Sequence, residues 1–87
     1  MKIYYSSKFA KEYKRLPRKV KISAENKERI FRLDPFNQQL KTHRLTGRLK
    51  EYYSFSIDYK YRIIFEFVGK DRKIVWFHSV GTHEIYI

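Results

Sequence analysis

Gly47–Phe67, GRLKEYYSFSIDYKYRIIFEF, decides the fold. Its side chains alternate over two runs separated by the polar break Asp58–Lys60. In the first run Tyr53, Phe55 and Ile57 fall on one face, and Tyr52, Ser54 and Ser56 on the other. In the second, Tyr61, Ile63, Phe65 and Phe67 share a face opposite Arg62, Ile64 and Glu66. A period of two, rich in aromatic and β-branched residues, predicts strands, and two such runs this close predict an antiparallel hairpin. The aromatic faces are candidates to hold packed helices. The opposite faces, with Tyr52, Ser54, Ser56 and Arg62, are left for the floor of a groove.

Upstream of the hairpin, residues 36–46 show no clear period and are expected to be a loop that carries His43. Before it a helix is expected over residues 18–32, supported by Glu25–Arg29 and Glu28–Arg32 at i, i+4. Val20, Ala24 and Phe31 align on one side of that helix; Ile22, Ile30 and Leu33 lie round another, so two partly covered faces are expected. Asp34-Pro35 ends it. A short strand over residues 2–5, an N-cap at Ser6 or Ser7, and Phe9, Tyr13 and Leu16 at helical spacing open the chain. Pro17 separates the two helices. Downstream, Gly69-Lys70-Asp71 predicts a turn and residues 72–80 a strand that Gly81 stops. That strand has Val75 and Phe77 on one face and Ile74, Trp76 and Val80 on the other, the pattern of a central strand buried on both sides. The whole chain, residues 1–87, thus reads as one α+β domain of order β-α-α-β-β-β. It has a small, twisted, mostly antiparallel sheet with an N-terminal helical hairpin packed on one face.

A chain of 87 residues has a small core, burying about 60–65% of its unfolded surface. Eight tyrosines, seven phenylalanines and one tryptophan compensate, because aromatics bury large areas. The absence of cysteine excludes disulfides, thiolate metal sites and thiol nucleophiles, and suits a cytoplasmic setting. No signal peptide and no bilayer-length apolar run is seen, so no membrane partner is expected. The formal net charge of +11, from 20 basic and 9 acidic residues, predicts a polyanionic partner, most simply nucleic acid.

No Gly-rich phosphate loop or nucleophile elbow is present, and His43, His78 and His83 lack carboxylates at ligand spacing. No metal and no cofactor is therefore expected. Basic and aromatic groups suited to a phosphodiester remain. Histidine gives and takes protons near neutrality. Arginine holds a phosphate and the extra charge of its transition state. His78, at the parity of Trp76 and Val80, reads as structural; Glu66 or Asp58 reads as a cross-strand partner for Arg62.

The run Leu40–Phe67, LKTHRLTGRLKEYYSFSIDYKYRIIFEF, and the ending Trp76–Tyr86, WFHSVGTHEIY, resemble the RelE/ParE superfamily of type II toxins. The resemblance is to the RelE/YafQ/YoeB-like branch and includes the helix Ser6–Leu16, SSKFAKEYKRL. It implies a toxin that a cognate antitoxin neutralises in a hetero-oligomer. It further implies a metal-independent endoribonuclease that cuts mRNA on the ribosome, the 2′-hydroxyl attacking the adjacent phosphate. By position the resemblance makes His83 the general acid and His43 the base or a second phosphate contact, roles that can be exchanged. Arg62 would lie on the scissile phosphate and Tyr86 at the C-terminal aromatic position. Arg48, Lys50, Tyr52 and Lys60 would contact RNA. Ser56 and Lys60 stand where YafQ-like members carry a histidine and an acidic residue. The alternatives are a ParE-like gyrase inhibitor and a noncatalytic RNA-binding protein of the same fold.

Overall fold

Two helices lie against one face of a five-stranded sheet in the computed structural model, which describes residues 1–82 and Glu84. The elements are β1 (Lys2–Tyr5), α1 (Ser7–Lys14), α2 (Arg18–Leu33), β2 (His43–Arg44), β3 (Tyr53–Ser56), β4 (Tyr61–Val68) and β5 (Ile74–Thr82), with 3₁₀ turns at Gln38–Leu40 and Gly47–Leu49. The strand order is β1-β5-β4-β3-β2. β1 runs parallel to β5, and every other pair is antiparallel. The expected α+β class, the hairpin and the helices on one face are all present. The sequence reading lacked β2, whose two residues are too few to show a period.

Local chemistry sets the helix ends. The Ser6 hydroxyl accepts from the Phe9 amide at 2.9 Å and donates to the His78 carbonyl at 2.8 Å, so one side chain caps α1 and ties it to β5. α2 follows Pro17 and stops at Leu33, because Asp34 precedes proline and is extended, with φ −159° and ψ 102°. Phe9, Leu16, Val20, Ala24 and Phe31 enter the core. Phe31 is fully buried, with ring centres 4.9 Å from both Phe55 and Phe65 and 5.4 Å from Phe77. Of the expected second face of α2, Ile30 packs against the core, whereas Ile22 is 50% and Leu33 90% exposed. With a single sheet layer to pack against, Ile22 and Leu33 are left on the solvent side of α2.

β5 departs from its expected reading in three ways. It begins at Ile74 and runs through Gly81 to Thr82, which pairs with Tyr61, so Gly81 does not stop it. Ile64 faces Ser79 while Phe65 faces Phe77, which leaves His78 as an extra residue in a β-bulge. The bulge shifts the alternation by one, so Val80 points into the core with Val75 and Phe77 instead of sharing a face with Trp76. β5 is interior to the sheet, yet no helix covers its second face, and Trp76 is only half-buried there. Past Phe77 the edge of β5 leaves β1, and Glu12 of α1 takes over: its carboxylate accepts from Ser79 Oγ at 2.8 Å and the Val80 amide at 3.1 Å.

Candidate functional site

The uncovered face of the sheet carries the polar side chains of the hairpin. Register places His43, Ser54, Ile64 and Ser79 in one row across β2, β3, β4 and β5. Ser56, Arg62 and Gly81 form the next row. Arg62 therefore points away from the helices, and it is half-buried.

Two grooves open along these rows. The larger, about 960 Å³, has walls from Lys8 of α1, from His43, Arg44, Thr46, Arg48 and Tyr52, and from Ile64, His78 and Ser79. The smaller, about 530 Å³, is lined by Lys27, Gln39, Lys41, Ser56, Asp58 and Arg62, and again by His43. His43 is thus the shared wall of both grooves. Its position follows from the chain just before it. Lys41 adopts a left-handed turn at φ 53°, and its carbonyl lies 3.1 Å from His43 Nδ1. A carbonyl only accepts, so that hydrogen bond holds the proton on Nδ1 and leaves the lone pair of the neutral ring on Nε2.

The segment after β2 is folded by short contacts. Leu45 donates its amide to the Tyr52 carbonyl at 2.9 Å, and Arg44 Nε donates to the Lys50 carbonyl at 2.8 Å. Gly47 enters the 3₁₀ turn at φ 66°, a left-handed conformation that glycine adopts without strain, and the turn presents Arg48 to the larger groove. Tyr52 stands edge-on to His78, ring centres 4.9 Å apart.

Of the residues expected from sequence, His43, Arg48 and Tyr52 meet in the larger groove, and Arg62 joins His43 in the smaller. Lys50 and Lys60 are exposed and line neither groove. Lys60 sits in the β3–β4 turn with Nζ 5.7 Å from the centre of the Tyr61 ring. His83 and Tyr86 lie outside the described residues.

Sequence reasoning missed His78. Beside the structural part its parity predicts, it forms a groove wall with Nε2 3.3 Å from Glu66 Oε1, a contact that is an ion pair whenever the ring is protonated. The signal was its parity with Trp76, which is correct; the bulge hid that this parity points out of the core. Lys8, Lys27 and Lys41 were missed as well, because only the tertiary fold brings them to the grooves. Among the described residues no three His, Cys, Asp or Glu side chains cluster to hold a metal ion. The larger groove has Lys8, Arg44 and Arg48 on its walls and no carboxylate among the described residues lining it. Such a cleft concentrates anions, and its imidazoles can move protons at a bound phosphate.

No family model and no curated protein matches the sequence. The fold, however, is shared with solved toxins. A YoeB/ParE toxin from Agrobacterium tumefaciens aligns with TM-score 0.79 at 19% identity, covering 95% of this chain and 99% of that one. YafQ from E. coli aligns with TM-score 0.79 at 20% identity, covering 98% and 96%. The chain in the archaeal RelE-RelB complex from Pyrococcus horikoshii aligns with TM-score 0.73 at 15% identity, covering 93% and 92%.

Proposed function

We propose that this chain, with the fold of the RelE, YafQ and YoeB toxins, is the toxin of a type II toxin–antitoxin pair and a metal-independent ribonuclease acting on mRNA at the ribosome. The observation that carries the reading is His43 standing between two cationic grooves, with Arg62 on the same uncovered face. Solved complexes of YafQ with DinJ and of RelE with RelB support an antitoxin as the physiological partner. No helix among the described residues is long and apolar enough to cross a membrane, and the reading places the protein in the cytoplasm with its ribosomal target.

In the proposed reaction the RNA backbone enters the grooves and Arg62 neutralises the scissile phosphate. His43 Nε2 takes the proton from the 2′-hydroxyl as its oxygen attacks phosphorus. The bond to the 5′-oxygen breaks, and His83 returns a proton to that leaving oxygen. The products are a 2′,3′-cyclic phosphate and a 5′-hydroxyl. Arg62 stabilises the doubly charged phosphorane between them. Arg48, Tyr52, Lys50 and Lys60 contact the flanking RNA, and Tyr86 takes a catalytic part as the C-terminal aromatic. His78, backed by Glu66, is a further imidazole at the same groove.

The test is a translating extract in which mRNA 5′ ends are mapped on ribosomes. Wild-type protein is expected to cut. His43→Ala and His83→Ala should each lower the rate by about 10²–10⁴-fold, and Arg62→Ala by about 10²–10³-fold. Intact mRNA together with inhibited DNA supercoiling by gyrase would sink the nuclease reading in favour of the gyrase inhibitor. RNA binding with neither effect would leave a noncatalytic binder.

A further inference from the structure

The uncovered face of the sheet also carries aromatic rings that the core does not use. Tyr4 of β1 and Trp76 of β5 sit opposite each other, ring centres 5.1 Å apart and 24° from parallel. Trp76 and His78 continue along β5 at 6.4 Å and 25°. Tyr52 then joins the row to the wall of the larger groove. Tyr4 is 40% exposed, and neither Tyr4 nor Trp76 belongs to the hydrophobic cluster under the helices. The rings thus form a continuous path from the edge strand to the groove, on the side of the sheet opposite α1 and α2.

We propose that Tyr4, Trp76 and His78 form a stacking platform for unpaired nucleobases flanking the RNA step held in the groove. Near-parallel rings offer successive bases one stacking orientation, and every base has a face to stack. Lys2 lies two residues before Tyr4 on the same face of β1, and Lys8 and Arg48 stand at the other end of the path, so backbone phosphates meet positive charge at both ends. Aromatic rings on a sheet beside cationic side chains are how single-stranded RNA is held, whereas a duplex keeps its bases stacked on each other and out of reach. The one carboxylate in the row, Glu66, is set against His78. The platform extends the RNA-directed reading above and rests on it for the choice of ligand, but its test reads binding, not cutting.

Trp76 is the only tryptophan, so its emission reports on the platform directly. The probe is a short unstructured oligoribonucleotide with 2′-O-methyl groups, which lacks the attacking hydroxyl and stays intact. It is expected to quench Trp76, while a duplex of the same length binds without quenching. With a dye on the RNA, Tyr4→Ala and Trp76→Ala should weaken single-strand binding by about 5- to 100-fold and leave duplex binding unchanged. Circular dichroism and melting curves identify any variant that fails to fold, and Trp76→Phe, which keeps a ring, should retain most of the affinity. Single-strand binding with no change in emission would overturn the platform. So would equal affinity in the Tyr4→Ala protein, or sedimentation showing a dimer that Tyr4→Ala disrupts and RNA leaves intact. Quenching by RNA without cuts on ribosomes would remove the nuclease reading and keep the platform; cuts without quenching would do the reverse.

Discussion

At the residue scale, Tyr5 and Gly47 show how single positions hold the frame. The Tyr5 hydroxyl sits 3.0 Å from both carboxylate oxygens of Glu28 and pins β1 to α2. Burial, then the charge of Glu28 and the hydrogen bond to it, push the Tyr5 phenol above its ordinary value, with Arg32 opposing; burial and then Glu25 and Glu28 do the same to Tyr13. A raised pKa means the folded state holds the proton more tightly than the unfolded one. That contribution is complete below about pH 10 and is lost as pH climbs through the folded values. Chemical denaturation across the alkaline range should show stability falling above about pH 10, with a shallower fall in Tyr5→Phe. Gly47 tests backbone strain alone, since a Cβ placed there meets nothing within 4 Å while φ stays at +66°. Gly47→Ala should cost about 1–2 kcal/mol in urea melts, and Gly47→Asn less, because asparagine tolerates the left-handed region.

At the element scale, the contacts between α1 and β5 stand in for strand pairing. β1 ends at Tyr5, so the following stretch of β5 would be an open edge if Ser6 and Glu12 did not bind it. Ser6→Ala removes both the cap and the link to His78 and should destabilise by about 1–2 kcal/mol. Glu12→Ala leaves the nearly buried Ser79 hydroxyl and the Val80 amide without their acceptor, about 1–3 kcal/mol in the same melts. Glu12→Gln keeps an acceptor oxygen and should cost less. None of this was legible in the chain, where Glu12 reads as one polar residue on a wet helix face. Alternation did reveal β3 and β4, and i, i+4, i+7 spacing revealed α1, because each is a local pattern contained within one segment. The bulge escaped for the opposite reason: it is defined by β4 counting one residue fewer than β5, a relation between strands. Val80 reads on the wrong face for that reason. His43 and Arg62 were legible as chemistry, but their meeting at one groove wall was not, since it depends on β2 joining the sheet.

At the scale of the whole molecule, one ring organises the core and a surplus of charge organises the surface. A chain this size has total stability of about 4–13 kcal/mol, and Phe31→Ala should remove about 3–5 of it, enough to leave the weaker end of that range largely unfolded at 37 °C. Thermal melts followed by circular dichroism would show it. The net charge of +11 should make association with RNA fall steeply as salt rises, a log–log slope that Arg48→Ala lowers by about 1 if Arg48 contacts a phosphate. Lastly, the parallel pairing of Lys2–Tyr5 with Ile74–Phe77 joins two segments far apart along the chain. Domains acquire structure from the N-terminus as the chain emerges, yet this sheet cannot form until β5 leaves the exit tunnel. His78 and Ser79, one wall of the larger groove, join the others only once β5 has docked. The larger groove is thus completed last, and ligand held in it marks a fully assembled sheet.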